Sequence, residues 1–370
     1  MERYSVRVGL LVEGEELAPR RSACIHVSNG IIESIESTAT CPTHAIGSDS
    51  LVALPQPGIA HAHSGDHLFP EAGFNMDLDS LVSPPDGLKH RLLAKAGFQE
   101  LVEGILDYYT LAWKLGVGLL VDFREGGGLG CLAAKRALEA APQGISVVVL
   151  GRPGPRFPEG CDGLGLSSPL DYDREEVERL ASTLKPAMTH VAETPAVREA
   201  GDLEIALEAG FDALVHGTFL SKSDLERLAE EGVALIACPR SNMWHGLGLP
   251  PIFEALRLGV PLALGTDNAA WTTPNPWREA ETALLVARAQ GAPQGEWLAK
   301  KILEAVFIEP YRLVGERPRV IEEGKPARLL VAEAEGLGLG REHSVYYWLV
   351  KRIGGENLRA RIDDGVVSWL

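Results

Sequence analysis

The sequence predicts an α/β fold, in which a (β/α)8 TIM barrel carries a small β-sandwich formed by the N- and C-terminal segments. The middle of the chain alternates apolar strand-like runs with amphipathic helix-like stretches, and both ends are rich in strand-like runs. Such alternation is typical of βα units around a parallel sheet. About eight of these runs can be counted, which is the number of strands that closes a barrel.

The two ends of the chain are expected to pair with each other. The N-terminal runs are YSVRVGLLVE, SACIHVSN and GIIESIES, and Asn29-Gly30 between the last two is a hairpin turn signal. The C-terminal runs are ARLLVAE, SVYYWLVKRI, LRARI and GVVSWL. Because these ends flank the barrel, mutual pairing is the most economical arrangement. We therefore expect a composite β-sandwich domain from residues 1–53 and 316–370, and a catalytic barrel from residues 54–315.

Barrel strands are expected at apolar runs that begin after residue 54. They are PGIAHAH, GVGLLVDF (116–123), ISVVVLG (145–151), a weaker run near GLGLSS (163–168), PAMTHVA (186–192), DALVHG (212–217), VALIACP (233–239) and VPLALGTD (260–267). A long connection, residues 64–113, separates the first two runs, and a connection of that length is typical of a lid or substrate loop. Its polar candidates are Asp66, His67, Lys89 and His90, for which a solvated loop position is the alternative.

Charge and cysteine content restrict the class of protein. The chain has 370 residues and a formal net charge of -16, which argues against nucleic acid or an anionic membrane as partner. No apolar run reaches the roughly 18 residues of a membrane span, and charges interrupt the N-terminus before a signal peptide could form. The five cysteines are odd in number and form no CxxC pair, so reduced thiols and a cytoplasmic location are expected.

The segment HAHSGDH (61–67) introduces a group of metal-type side chains. His61 and His63 are two positions apart on a strand and point to the same side. His190, His216 and Asp267 each end a separate predicted strand, and those ends form the catalytic face of a barrel. One such histidine alone would more often be a hydrogen-bonded interior residue. Together they indicate a zinc or ferrous iron site whose metal acidifies a water molecule.

These motifs carry a family resemblance. HAH (61–63), HVAET (190–194), HG (216–217), CPRSN (238–242) and GTDNA (265–269) resemble the amidohydrolase superfamily. The closest likeness is to its cytosine, guanine and adenosyl-homocysteine deaminase and chlorohydrolase branch. NGIIESIES and EEGKPARLLVAE also look like the strands that flank those barrels, so the resemblance covers nearly the whole chain.

The resemblance implies one divalent metal ion per chain, Zn²⁺ or Fe²⁺. The implied metal ligands are His61, His63, His190 and Asp267. It makes His216 a residue outside the ligand set, or an occasional fifth ligand, near the bound water. It makes Glu193 the acid/base that carries a proton to the ring nitrogen; a solvated carboxylate at a helix start is the alternative for Glu193. Two-metal relatives carry a lysine after the fourth strand, and GLGLSSPLDYD contains none, which favours one metal.

Polar residues after the second, seventh and eighth strands are candidate substrate contacts. Arg124 and Glu125 after the second strand are expected to face the pocket; Arg124 could bind a substrate carboxylate or phosphate, or pair with Glu125. The remaining candidates for ring-edge and stacking contacts are Arg240, Asn242, His245, Asn268 and Trp271.

The favoured function is a one-metal deaminase that releases ammonia from a purine, pyrimidine or related heterocycle. In this hypothesis His216 holds the nascent oxygen, Glu193 protonates the ring nitrogen and Asp267 takes the second proton of water. Hydrolysis of an amide, imine or carbon-halogen bond by the same residues is the alternative, and a non-catalytic binding module is a third. The expected partner is a small-molecule substrate; a homo-oligomer is the default for a large cytosolic enzyme.

Overall fold

A computed structural model of the chain describes residues 3–83, 85–152 and 160–370. The strands are β1 (Arg3–Glu13), β2 (Ala18–Ser28), β3 (Ile31–Ser37), β4 (Ile46–Leu54), β5 (Gly58–His63), β6 (Leu119–Arg124), β7 (Ser146–Gly151), β8 (Gly163–Leu166), β9 (Ala187–Val191), β10 (Ala213–His216), β11 (Ala234–Ala237), β12 (Leu262–Leu264), β13 (Asp267–Asn268), β14 (Leu329–Glu333), β15 (Leu358–Asp363) and β16 (Val366–Trp369). The α-helices are α1 (Leu78–Val82), α2 (Leu88–Lys95), α3 (Phe98–Lys114), α4 (Gly127–Ala140), α5 (Arg174–Thr183), α6 (Pro195–Glu199), α7 (Asp202–Ala209), α8 (Lys222–Glu231), α9 (Pro239–Trp244), α10 (Ile252–Leu258), α11 (Pro276–Ala289), α12 (Glu296–Phe307), α13 (Glu309–Leu313) and α14 (Val345–Arg352).

Strands β5 to β13 close into a parallel barrel. Neighbouring strands from β5 through β12 pair in chain order, and β13 pairs with β5. The strand pair β12 and β13 is one barrel strand interrupted at Gly265 and Thr266, because β12 bonds to β11 on one side and β13 bonds to β5 on the other. The (β/α)8 prediction is confirmed, and the weak run near residue 163 is the fourth barrel strand.

The two ends of the chain share one sheet, as expected from their strand-like runs. Within the described residues its order is β16-β15-β14-β4-β1-β2-β3. Most neighbours are antiparallel, whereas β1 and β4 are parallel. Asn29 and Gly30 turn the β2–β3 hairpin with φ values of 51° and 79°, which is the left-handed backbone that this turn signal predicts. The division of the chain into two domains after residues 53 and 315 stays a prediction.

One predicted C-terminal strand is wrong. The run SVYYWLVKRI folds as α14, which begins after the capping residue Ser344. Its aromatic and β-branched residues favour strands in isolation. In the fold they pack against α11 and α12 on the outside of the barrel, where Trp348 and Leu349 are buried and the Trp348 indole donates to the Leu337 carbonyl. Tertiary packing therefore overrides the local preference.

The expectation of reduced thiols is also wrong for four of the five cysteines. Cys24 is bonded to Cys41, and Cys131 is bonded to Cys161. The partners are 17 and 30 residues apart, spacings that resemble no short cysteine motif. Cys238 is a buried free thiol. The described helices include none with the length and apolar character needed to cross a membrane.

Candidate active site

Four potential metal ligands converge at the carboxyl ends of the barrel strands. One ligand atom each from His61, His190, His216 and Asp267 lies within 4.8 Å of the others, and the four residues are buried, His190 least completely. His63 lies beside this group, with Nε2 at 3.5 Å from Oδ1 of Asp267. Neighbouring strands bring the residues together: β13 pairs with β5 so that Asp267 is opposite Ala62, between the two histidines of the first strand.

The histidines are oriented by partners on their far nitrogens. Nδ1 of His190 donates to the Leu166 carbonyl at 2.8 Å, and Nδ1 of His63 lies 2.8 Å from Oε1 of Glu125. The His190 hydrogen bond places the ring proton on Nδ1 and leaves the Nε2 lone pair free for a metal. The His63 contact is a close approach to a carboxylate without hydrogen-bond geometry. His216 is oriented differently, since the Asn242 amide donates to its Nδ1 at 3.2 Å. Neutral His216 therefore carries its proton on Nε2, which suits a hydrogen-bond donor better than a ligand.

Burial keeps the imidazoles of His61, His63 and His190 neutral. It lowers the pKa of His61, lowers the pKa of His63 to about 3, and holds the pKa of His190 well below its usual value. Asp267 is the opposite case: burial opposes its ionisation, but the His61 hydrogen bond and the surrounding imidazoles hold its pKa well below the usual range. Neutral imidazoles around one carboxylate are a donor set that fits Zn²⁺ or Fe²⁺.

The chain turns sharply where the strands reach the site. Ala192, His216 and Asp267 have φ values of 50°, 71° and 58°, a backbone region that residues other than glycine rarely adopt. Strain of this kind concentrates at functional sites and persists where surrounding contacts hold it. Asp202 supplies one such contact, because its carboxylate accepts from the Ala192 amide at 2.6 Å.

This turn carries Glu193 to the wall of a cavity. Oε1 of Glu193 lies 3.5 Å from Nε2 of His216, and its side chain is 21% exposed. Burial raises the pKa of Glu193, with the His216 ring acting against that shift. A carboxyl group with a raised pKa beside a proton-bearing imidazole is suited to accept and return a proton.

The cavity has a volume of about 240 Å³ and opens onto the ligand group. Of the predicted residues it is lined by His63, His190, Glu193, His216, His245, Asp267 and Asn268. Lys89 and Arg152 are cations at its wall, and Nε of Arg152 is buried without a hydrogen-bond partner among the described residues. Arg152 follows β7 next to the undescribed residues 153–159, and the sequence analysis did not select it. An arginine directly after an apolar strand was the available signal.

Several predicted substrate contacts lie outside this cavity. Arg124 is buried, with Nη2 donating to Glu125 at 2.8 Å and Nε lying 3.4 Å from Asp122, so pairing within the protein is the alternative that the structure adopts. Arg240 faces the buried Glu279 at 3.6 Å. The other three residues are Glu125, which pairs with Arg124 and Lys89, Asn242, which supports His216, and Trp271, which stacks on Trp244.

Asp122 is a further buried carboxylate that supports the site, and it was not among the residues predicted from the sequence. Asp122 accepts from the Ser64 amide at 3.0 Å, from the Ser64 hydroxyl at 2.6 Å and from the Tyr109 hydroxyl at 2.7 Å. Ser64 directly follows His63. Asp122 therefore fixes the end of the strand that carries the first two histidines, and its place inside a strand gave no sign of this role.

Known proteins resemble this chain in sequence. The family model described as the amidohydrolase family matches residues 171–351. A putative aminohydrolase of Methanothermobacter thermautotrophicus is 31% identical over 360 residues, which cover 90% of this chain and 92% of that protein. A 5-methylthioadenosine/S-adenosylhomocysteine deaminase of Halobacterium salinarum is 30% identical over 209 residues, or 53% of this chain and 48% of that protein.

Solved structures share the fold. A zinc-bound adenosine deaminase from Xanthomonas campestris superposes with a TM-score of 0.77 at 19% identity, covering 99% of this chain and 93% of the other. At this identity the likeness concerns the fold, and the chemistry has to be argued from the residues of the site.

Proposed function

Because the chain belongs to the amidohydrolase family, we propose that it is a metal-dependent deaminase that releases ammonia from an amino-substituted purine, pyrimidine or related heterocycle. The observation that carries this proposal is the placement of Glu193, 3.5 Å from Nε2 of His216 in the wall of the cavity. Deamination needs a group that takes a proton from water and returns it to nitrogen, and a cavity-lining carboxyl with a raised pKa suits that task.

His61, His63, His190 and Asp267 would hold the metal. A divalent ion bound there would acidify a water molecule and so provide the nucleophile at neutral pH. His216 is left as the donor, through Nε2, to the oxygen that develops at the attacked carbon. Its distinct orientation supports a role beside the water rather than as a permanent ligand.

The protons have a defined route in this proposal. Glu193 receives a proton from water and passes it to the ring nitrogen next to the attacked carbon. Asp267 receives the second proton, which then goes to the leaving amino group. The carbon–nitrogen bond breaks, ammonia departs, and a ring carbonyl replaces the amine, so that one water is consumed for each ammonia released.

The guanidinium of Arg152 favours a substrate that carries a hydrogen-bond acceptor. Its guanidinium lines the cavity with Nε buried and unpartnered among the described residues, and such a donor costs free energy until something accepts from it. A carboxylate, phosphate or ring carbonyl of the substrate would satisfy it. Of the two arginines that follow the second and third barrel strands, this one rather than Arg124 is therefore our candidate contact.

The partners and location belong to the same proposal. The net charge of -16 supports a small-molecule substrate rather than nucleic acid or an anionic membrane. We retain a homo-oligomer and a cytoplasmic location as parts of the proposal; in that location the two disulfides would have to resist reduction. The domain division at residues 53/54 and 315/316 is retained in the same way.

Ammonia release tests the proposed reaction. The chain would be loaded with Zn²⁺ or Fe²⁺ and offered cytosine, guanine, adenosine, 5-methylthioadenosine and S-adenosylhomocysteine, with Glu193→Gln as the matched control. We expect ammonia and the ring carbonyl product in equal amounts from at least one amine, and release about 10²- to 10⁴-fold slower from the variant. Release of a different leaving group, from an amide, imine or halide, without ammonia from any amine would contradict deamination.

A further inference from the structure

Helix α2 of the long connection after the first barrel strand buries one charged side chain against the barrel face. Among the residues of α2, all of them described, only Lys89 is buried. Its side chain is 8% exposed. Burial of an ammonium group is strongly unfavourable unless the group is paired, so the docking of this helix depends on the partners that Lys89 finds.

Those partners are two buried carboxylates. Nζ of Lys89 lies 2.9 Å from Oδ2 of Asp66 and 2.6 Å from Oε1 of Glu125. Asp66 follows the first barrel strand, and Glu125 follows the second. Helix α2 is therefore attached to the part of the barrel face where His63 lies.

Glu125 passes this contact on to His63. The same oxygen, Oε1, lies 2.8 Å from Nδ1 of His63, while Oε2 accepts from Arg124 at 2.8 Å. On the other side of the ring, Nε2 of His63 faces Asp267 at 3.5 Å. A continuous line of contacts thus runs from Lys89 through Glu125 to the lone pair that would bind the metal.

We propose that Lys89 and Glu125 are positioning residues that couple the docking of helix α2 at the substrate cavity to the orientation of His63 as a metal ligand. This inference rests on the metal site of the proposed function. When Lys89 is withdrawn, Glu125 loses the cation beside Oε1 and keeps only Arg124 on Oε2. Oε1 is then no longer held beside Nδ1 of His63. Metal binding in turn favours the docked helix, because the two events share one contact.

Lys89 also lines the cavity, so the coupling reaches the substrate. The rest of α2 is exposed or half-buried, and Leu92 shares a small cavity with Leu81 and Trp271. A helix whose buried side chain is a paired ammonium group can leave and return without opening the barrel core. The connection would then open for substrate entry and tighten the metal site on closing.

The test measures Zn²⁺ affinity by competition with a chromophoric chelator, on the full chain. The variants are Glu125→Gln and Lys89→Gln, with Lys89→Arg as the conservative replacement and Arg91→Gln as an exposed control on the same helix. We expect Glu125→Gln and Lys89→Gln to weaken Zn²⁺ binding by about 10- to 100-fold. Arg91→Gln should match the wild type, and Lys89→Arg should recover most of the affinity.

Hydrogen exchange of residues 88–95 provides a second measurement that does not depend on activity. Zn²⁺ should slow exchange there in the wild type and leave it unchanged in Glu125→Gln. If Lys89→Gln leaves an unpaired carboxylate that prevents folding, Lys89→Gln combined with Asp66→Asn removes both charges and should give the same loss of affinity.

Two results would overturn the inference alone: Zn²⁺ affinity within twofold of wild type in folded Lys89 variants, or exchange in α2 that does not respond to Zn²⁺. A wild-type chain that binds no Zn²⁺ would overturn the inference and the metal site together. Absence of ammonia release from a chain that binds Zn²⁺ with the expected dependence on Lys89 would count against the deaminase proposal only.

Discussion

Replacement of Glu193 by glutamine is the most direct perturbation of the proposed chemistry. The amide has nearly the same shape as the carboxyl group, but it cannot take a proton from water and return it to nitrogen. Glu193 lies at the cavity wall and is not one of the four convergent ligand residues. The variant should therefore fold and bind metal as the wild type does.

The expected effects on catalysis and on stability differ widely. General acid–base catalysis contributes about 10²- to 10⁴-fold, so kcat should fall by that factor, equivalent to about 3 to 5 kcal/mol in the barrier. For stability, the substitution weakens a single 3.5 Å approach to His216 by a side chain that is 21% exposed. An ion pair of that kind contributes no more than about 1 kcal/mol to the free energy of unfolding.

The assay follows ammonia release under saturating substrate, together with metal content and thermal unfolding of the same preparation. Glu199→Gln, at an exposed glutamate in α6, is the matched control and should keep full turnover. An unchanged kcat in Glu193→Gln would refute the assignment of Glu193 as the acid/base. A loss of kcat accompanied by loss of metal would refute the placement of Glu193 outside the ligand set.

Further predictions concern the metal, the substrate cation and pH. Elemental analysis should find about one divalent ion per chain, and His190→Ala should lose it; two ions per chain would contradict the one-metal site. Arg152→Met should raise KM by about 10-fold or more with metal content unchanged, because the substrate can no longer accept a charged hydrogen bond there; an unchanged KM would remove Arg152 from the substrate site. Burial raises the pKa of Glu279 from 4.5 to about 8, so the folded chain keeps a proton that the unfolded chain releases. The contribution of Glu279 to stability should therefore be fully present below pH 4.5. It should decline by up to about 5 kcal/mol as pH rises toward 8. Glu279→Gln should flatten that decline in Tm, and an equally steep decline in the variant would show that Glu279 is not its cause.

The barrel could be predicted from the sequence because its signals are local. Strand β7, for example, spans residues 146–151 within a predicted run of 145–151, and β9 spans 187–191 within 186–192. An apolar run between two amphipathic helices can be recognised as a strand from the residues next to it in the chain. The end of each run then indicates which side chains reach the catalytic face.

The same reasoning failed where neighbours in space outweigh neighbours in the chain. Strand-favouring residues at 344–353 form helix α14 because they pack on the barrel. Arg124 turned inward to Glu125 and Asp122, a choice between two alternatives that the sequence left open. The cysteine pairs likewise depend on how separate elements meet.

The candidate site also combines residues that the sequence predicted with contacts that only the tertiary structure decided. Position on a strand was enough to select His61, His63, His190, His216 and Asp267, since a strand end is defined by the residues beside it. Glu193, which lies beyond the strand end, was selected through the family resemblance. The chain path in three dimensions had to bring Asp202 to the Ala192 amide, Asn242 to His216 and Lys89 to Glu125. These contacts join residues that are far apart or on different elements, and their geometry depends on packing that no local pattern encodes.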